Sequence, residues 1–283
     1  MKSPILPLYL FVLCTFYSCV NQVPNIVVDQ TNLVIFGNVY YPPSRMNLNI
    51  FHTSNTQTYN PREVTNASIR LYSSPDDGSD TSETLVSDAF TFISAEEGYE
   101  SASDIPAQIG HWYWIEVEIP GTPGVFRSSR IQMVAPIAIK TVERKNGGTR
   151  MTFADPKNEA NQYVASFHFF QGNEEVGDEF QAATDVLFDG NTEAYLEVFN
   201  SPGNRVQTSL NHLDPEVYEF YLRYNRQREL NEGFDDESGD SGLLFREPPV
   251  QLEGNIYNNQ SEQMVLGNFG VIAISEKEVV FED

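Results

Sequence analysis

Short runs of β-branched and aromatic residues, broken repeatedly by Pro, Gly, Asn and Asp, dominate this sequence, and a single stretch repeats its apolar positions with a helical period. A chain patterned in this way must bury sheets rather than bundle helices. The clearest alternation lies at 112–119. Tyr113, Ile115, Val117 and Ile119 fall on one face, and Trp112, Trp114, Glu116 and Glu118 on the other. Runs at 33–40, 48–52, 67–72 and 126–134 read as further strands, the first stopped by Pro42-Pro43. Together they predict a β-sandwich over residues 32–135, immunoglobulin-like or prealbumin-like.

Pro136 marks a boundary, after which strands are expected at 138–144, 150–153 and 163–170, then at 186–188 and 193–199 around an Asp189-Gly190-Asn191 turn. The period then changes. Asp214 can cap a helix that has Pro215 at its first position and Glu216 in its first turn. Val217, Phe220, Tyr221 and Tyr224 recur at i, i+3, i+4 and i+7, so an amphipathic helix is expected near 215–230. An acidic, glycine-rich stretch at 231–242 reads as a loop, and strands near 250–257, 267–275 and 278–281 end the chain. The expected fold class is therefore mainly β, with two β-sandwich-like domains, the second (136–283) carrying the helix.

The first residues concern location. Lys2, an apolar run to Phe16, and Ser18 before Cys19 read as a lipoprotein signal peptide over 1–18, with lipidation at Cys19. The run is shorter than the roughly 20 apolar residues that span a bilayer. An ordinary secretory signal cut nearby, or cleavage at Cys14, is the alternative. The polar residues 19–31, with Pro24, suit a tether. Because Cys14 and Cys19 are the chain's 2 cysteines, the mature fold has no disulfide, and burial and sheet hydrogen bonds must hold it.

Phe and Tyr are plentiful enough for packed cores. With 17 Lys+Arg against 40 Asp+Glu, the net charge of -23 repels phosphate backbones and anionic headgroups. Nucleic acid is not an expected partner, and membrane attachment falls to the N-terminal lipid.

Few constellations point to chemistry. Gly239-Asp240-Ser241-Gly242 has the letters of a serine-protease nucleophile motif, but no histidine context accompanies it. His52, His111, His168 and His212 are scattered without metal-ligand spacing. The acidic runs around Asp76-Asp77-Asp80 and Asp235-Asp236-Glu237-Asp240 lack the register of a calcium loop. The expectation is no catalytic residue, no metal and no cofactor. The candidate binding platform is the indole pair Trp112 and Trp114, two residues apart on the strand face opposite the core. The alternative is that a loop or the second domain covers both rings.

The opening Asn32-Leu33-Val34-Ile35-Phe36-Gly37, the later Asn66-Ala67-Ser68-Ile69, and the central Phe153-Ala154-Asp155-Pro156 with Asn161-Gln162-Tyr163 resemble a Bacteroidota outer-membrane lipoprotein family, domain of unknown function 4249. The tail agrees, with Phe245-Arg246-Glu247-Pro248-Pro249-Val250, Gly254-Asn255-Ile256 and Leu266-Gly267-Asn268-Phe269-Gly270. The resemblance implies an outer-membrane location and genes beside TonB-dependent receptors, and names no catalytic residue. The glycines and Asn255 read as turn and bulge residues rather than ligands.

The expected function is that of a non-enzymatic, lipid-anchored accessory protein partnering a TonB-dependent receptor in nutrient capture, its ligand unspecified. A surface-exposed structural or adhesive glycan-binding lipoprotein is the alternative. Cys19→Ala is expected to abolish labelled palmitate incorporation and release the protein from membranes. Undiminished labelling would place the modification elsewhere.

Overall fold

The computed structural model describes residues 32–53, 62–77, 82–95, 97–232 and 252–281. The signal, the tether with Cys19, and most of the acidic stretch at 231–242 lie outside them. The strands begin with β1 (Leu33–Tyr41), β2 (Asn47–His52), β3 (Arg62–Glu63), β4 (Ser68–Ser74), β5 (Thr84–Ser87) and β6 (Phe90–Ser94). Next come β7 (Gly98–Ser101), β8 (Trp112–Glu118), β9 (Phe126–Ser128), β10 (Ile131–Gln132), β11 (Ile139–Lys145) and β12 (Gly148–Phe153). The chain continues through β13 (Gln162–Gln171), β14 (Glu174–Thr184), β15 (Ala194–Val198), β16 (Arg205–Leu213) and the helix α1 (Pro215–Glu232). It ends with β17 (Glu253–Asn258), β18 (Met264–Leu266) and β19 (Phe269–Val280). The protein is mainly β, as its periodicity predicts. No helix among the described residues is long and apolar enough to cross a membrane.

Sixteen strands share one mixed sheet whose spine runs β14-β13-β16-β19-β1-β18-β17-β9-β8-β4-β5. A separate small sheet, β11-β12-β15, faces part of it. Between the two lies one core, in which Tyr163, Ala165, Phe167 and Phe169 from alternate positions of β13 meet Met151, Phe153 and Leu196. The other core gathers Ile35, Val39, Leu48, Ile69, Ile115, Val117, Val217, Phe269 and Val271. Full burial of such side chains stabilises the fold by about 1.5–3 kcal/mol each.

Ile137 is the first buried residue of the second core, but the chain beyond it does not stay with that core. α1, β17, β18 and the first half of β19 return to the core of residues 32–135. The link is parallel pairing of β1 with β19, with Gly37 opposite Phe269 and Tyr41 opposite Ala273. From Leu213↔Ile272 onward the same β19 pairs antiparallel with β16, which belongs to the second core. One long strand therefore serves both cores.

Local differences have local causes. The strand expected at 186–188 is a short 3-10 turn, Asp185–Leu187, with Val186 and Leu187 almost fully exposed. The segment 126–134 breaks into β9 and β10, whereas 267–281 is largely the continuous β19. The helix matches its pattern. The Glu216 amide donates to Asp214 Oδ1 at 2.9 Å, capping the N-terminus.

Asn255 lies where the register of β17 with β18 is irregular, between Glu253 and Tyr257, and its side chain clamps β17 to β19. Its Nδ2 donates to the Phe269 carbonyl at 2.8 Å, and its Oδ1 accepts from the Phe269 amide at 2.9 Å. The side chain thus imitates a strand's pair of ladder bonds while buried. Beside it, a Cβ on Gly254 would stand 1.7 Å from the Gly267 carbonyl oxygen, so only glycine fits. Asn255→Ala leaves both Phe269 backbone groups unpaired. It is expected to cost about 2–4 kcal/mol in urea unfolding. A loss below 1 kcal/mol would show that water replaces the clamp.

Candidate functional site

The strand face that carries Val34 and Phe36 of β1 points away from the core of Ile35 and Val39. Register extends that face sideways: Val34 pairs with Phe51 and Phe36 with Asn49 on β2, Phe51 pairs with Glu63 on β3, and Val34 pairs with Leu266 on β18. α1 crosses this face and lays Phe220 and Tyr224 against Phe36. The ring centroids of Phe36 lie 5.9 Å from Phe220 and 6.4 Å from Tyr224, with planes inclined by 30° and 15°. The β6–β7 hairpin supplies Phe92, Ala95 and Gly98 to the opposite wall.

The result is an open groove of about 530 Å³, lined almost wholly by apolar and aromatic side chains with Asn49, Thr53 and Glu63 as its polar members. Its size and lining are those of a small-molecule or apolar-ligand site. The position of α1 is fixed from below by polar contacts. Asn38 Nδ2 donates to the Tyr221 hydroxyl at 3.1 Å and to Tyr40 at 3.3 Å. Burial pushes the Tyr221 hydroxyl well above the ordinary tyrosine range, so it remains a neutral partner.

The predicted indole platform is not formed. Trp114 is fully buried, stacked on Tyr72 at 5.6 Å with planes 9° apart, and the Arg130 guanidinium sits 4.2 Å from its ring centroid. Arg127 approaches the same ring at 5.8 Å and reaches Glu116 at 3.4 Å, while Arg130 pairs with Glu83. Arginine side chains cover apolar surface with their stems and leave the charge outside. That is how a strand face alternating Trp with Glu buries its indole. Trp112 is half-buried. The two rings therefore present no shared flat surface.

A second cluster joins three carboxylates that sequence spacing keeps apart. Oxygens of Asp155, Asp185 and Asp189 lie within 4.8 Å of one another, the first two residues buried and the third exposed. Asp155 accepts from the Tyr163 hydroxyl at 2.5 Å and from the Gly190 amide at 2.8 Å. Asp185 accepts from the Asn161 amide at 3.0 Å, and Asp189 from the Asn158 amide at 2.7 Å. His212 packs on Tyr163 and bonds the Ala135 carbonyl through Nδ1 at 2.7 Å. Burial lowers its pKa, against the raising effects of that carbonyl and of Glu159, Asp155 and Asp185, so the imidazole is neutral at pH 7. Hard oxygens in this number could hold a divalent cation. The same bonds also tie the ends of β12, β13 and β14 together without one.

The sequence profile of the family described as Domain of unknown function (DUF4249) matches residues 21–278. The chain belongs to this family. A comparison with curated proteins gives no match.

Seen as a DUF4249 protein, the chain places its central motif, Asp155 with Asn161 and Tyr163, in the carboxylate cluster. Its later motif supplies the Asn255 clamp and, through Leu266 and Gly267, one border of the groove. The groove itself is assembled from four strands (β1, β2, β3 and β18), the β6–β7 hairpin and the helix. No contiguous segment announces it, although Phe220 and Tyr224 stand out in the helical pattern. Trp114→Ala is expected to cost about 3–5 kcal/mol in urea unfolding, and Trp112→Ala much less. Equal losses would mean that the two rings are packed alike.

Proposed function

We propose that this DUF4249 protein is a non-enzymatic accessory lipoprotein of the outer membrane, held by a lipid on Cys19, that works beside a TonB-dependent transporter in capturing or passing on a nutrient. The observation that carries a binding role is the open aromatic groove between α1 and the β1–β2 face, with its preformed floor and few polar groups. Sites of this kind hold a ligand by excluding water from it. The anchor and location rest on the lipoprotein-type N-terminus and on the expectations that the family resemblance carries. The alternative is a surface-exposed structural or adhesive glycan-binding lipoprotein, for which Trp112 and Trp114 give no stacking platform because Trp114 is buried beneath Tyr72 and the arginines.

Gentle solubilisation of native membranes followed by pull-down through a C-terminal tag is expected to bring down an outer-membrane β-barrel receptor in stoichiometric amount. Recovery of a solitary lipoprotein, with uptake unchanged in a deletion strain, would reject the accessory role.

A further inference from the structure

The groove's chemistry limits what it can hold. Among the described residues that line it, Glu63 is the one charged side chain, and neither Lys, Arg nor His takes part. The chain as a whole carries a net charge of -23. A carboxylate, sulfonate or phosphate entering this space would lose water against apolar walls beside the exposed Glu63, with no cation in the described lining to meet it, which disfavours binding. An aromatic molecule meets the opposite situation. The rings of Phe36 and Tyr224 are inclined by 15°, packed over the buried Phe220, and offer aromatic faces for offset stacking. A positive charge on the ligand would gain from those same ring faces and from Glu63.

Resting on the reading of this chain as a binding protein, we propose that the groove is a site for a small aromatic molecule bearing no negative charge. Its flat body stacks against Phe36 and Tyr224, and its polar end turns toward Asn49 and Glu63. Volume agrees with this class: about 530 Å³ lies within the range of sites that enclose such molecules and is too small for a folded partner. Asn49 and Glu63 share the strand face with Phe36 and Phe51 through the β1–β2 and β2–β3 registers. Polar groups thus border the apolar floor on one side, which gives an asymmetric ligand a direction.

The test uses the mature chain with Cys19→Ser, so that no lipid or detergent competes, and two fluorescent probes of similar ring skeleton. N-phenyl-1-naphthylamine is neutral, and 8-anilino-1-naphthalenesulfonate is anionic. The neutral probe is expected to bind with a blue shift and a Kd on the order of 10 μM. The anionic probe should bind at least about tenfold more weakly. Ala95→Trp places an indole at the groove wall and should remove neutral-probe binding without lowering Tm. Glu63→Lys should narrow or reverse the preference between probes.

Equal or tighter binding of the anionic probe would overturn the proposal, as would undiminished binding in Ala95→Trp. Absence of neutral-probe binding in the parent chain would also overturn it. The accessory role is read separately. A receptor that co-purifies with a protein unable to bind the probe leaves that role standing and removes this ligand class. Probe binding without a receptor supports the ligand class and removes the role.

Discussion

Parallel pairing between β1 and β19 is the constraint on which the rest of the architecture depends. It brings the start and end of the described chain into neighbouring positions, from Gly37↔Phe269 to Tyr41↔Ala273, and no local contact could substitute for it. Parallel strands need a long crossover, and here almost the whole protein serves as one. The close approach is possible because Gly267, with φ at +94°, lets the backbone turn from β18 into β19 where a Cβ would stand 2.1 Å from the Ile35 carbonyl oxygen. Asn255 then holds the Phe269 backbone from the other side. Loss of this joint would separate β1 from β18 and β19 and so open the border of the groove, while β19 keeps its own long pairing with β16.

The groove exists because α1 does not close completely onto the sheet. Under its first turns, Val217 and Phe220 are buried in the ordinary apolar manner. The next contact is polar. Asn38 is buried and places its Nδ2 on Tyr40 and Tyr221 while its Oδ1 has no partner, and Asn268, fully buried, accepts from the Gly37 amide through its carbonyl but has no side-chain partner among the described residues. Buried amides make a helix position specific at some expense in stability, since a misplaced helix strands them. Tyr224, three residues beyond Tyr221, is still against Phe36 but already 44% exposed. The helix is thus fixed at one end, and its aromatic stripe forms a wall at the other.

Most individual elements were legible in the sequence because their signals are local. The alternation at Trp112–Glu118 and the i, i+3, i+4, i+7 stripe of α1 both specify buried faces through periodicity alone. β14 was not legible: Glu174, Glu175, Asp178 and Glu179 give it an acidic character that suits an exposed sheet edge and masks its period. β16 was overlooked because its inward positions include Thr208 and His212 among Val206 and Leu210. The groove and the carboxylate cluster were illegible for another reason. Each is made by long-range register, which pairs Phe51 with Glu63, or sets Asp155 against Asp185, without any trace in spacing. Trp114 shows the limit of face assignment: strand alternation correctly put it opposite the core, but not under Tyr72 and two arginines.

Those arginines bear on the groove. With 17 basic residues against 40 acidic ones, where the cations sit decides the local field. Arg70, Arg127 and Arg130 are engaged with Glu116, Glu118 and Glu83 around Trp114, and Arg150 with Glu197 beside Tyr195. Arg205 lies over Phe170 and pairs with Glu278 at 3.4 Å. Such pairs on half-exposed faces add little stability one by one, and their role here is to cover aromatic rings and hold sheet faces together. Arg62 is in register with His52 of β2, next to Glu63, and Glu63 is the one charged side chain among the described residues that line the groove. Glu63 is exposed, so water screens its charge and its influence is confined to groups that come close to it. The acidity of the chain, which by itself says little beyond solubility, becomes selective at this one place: it sets which sign of ligand can shed its water there.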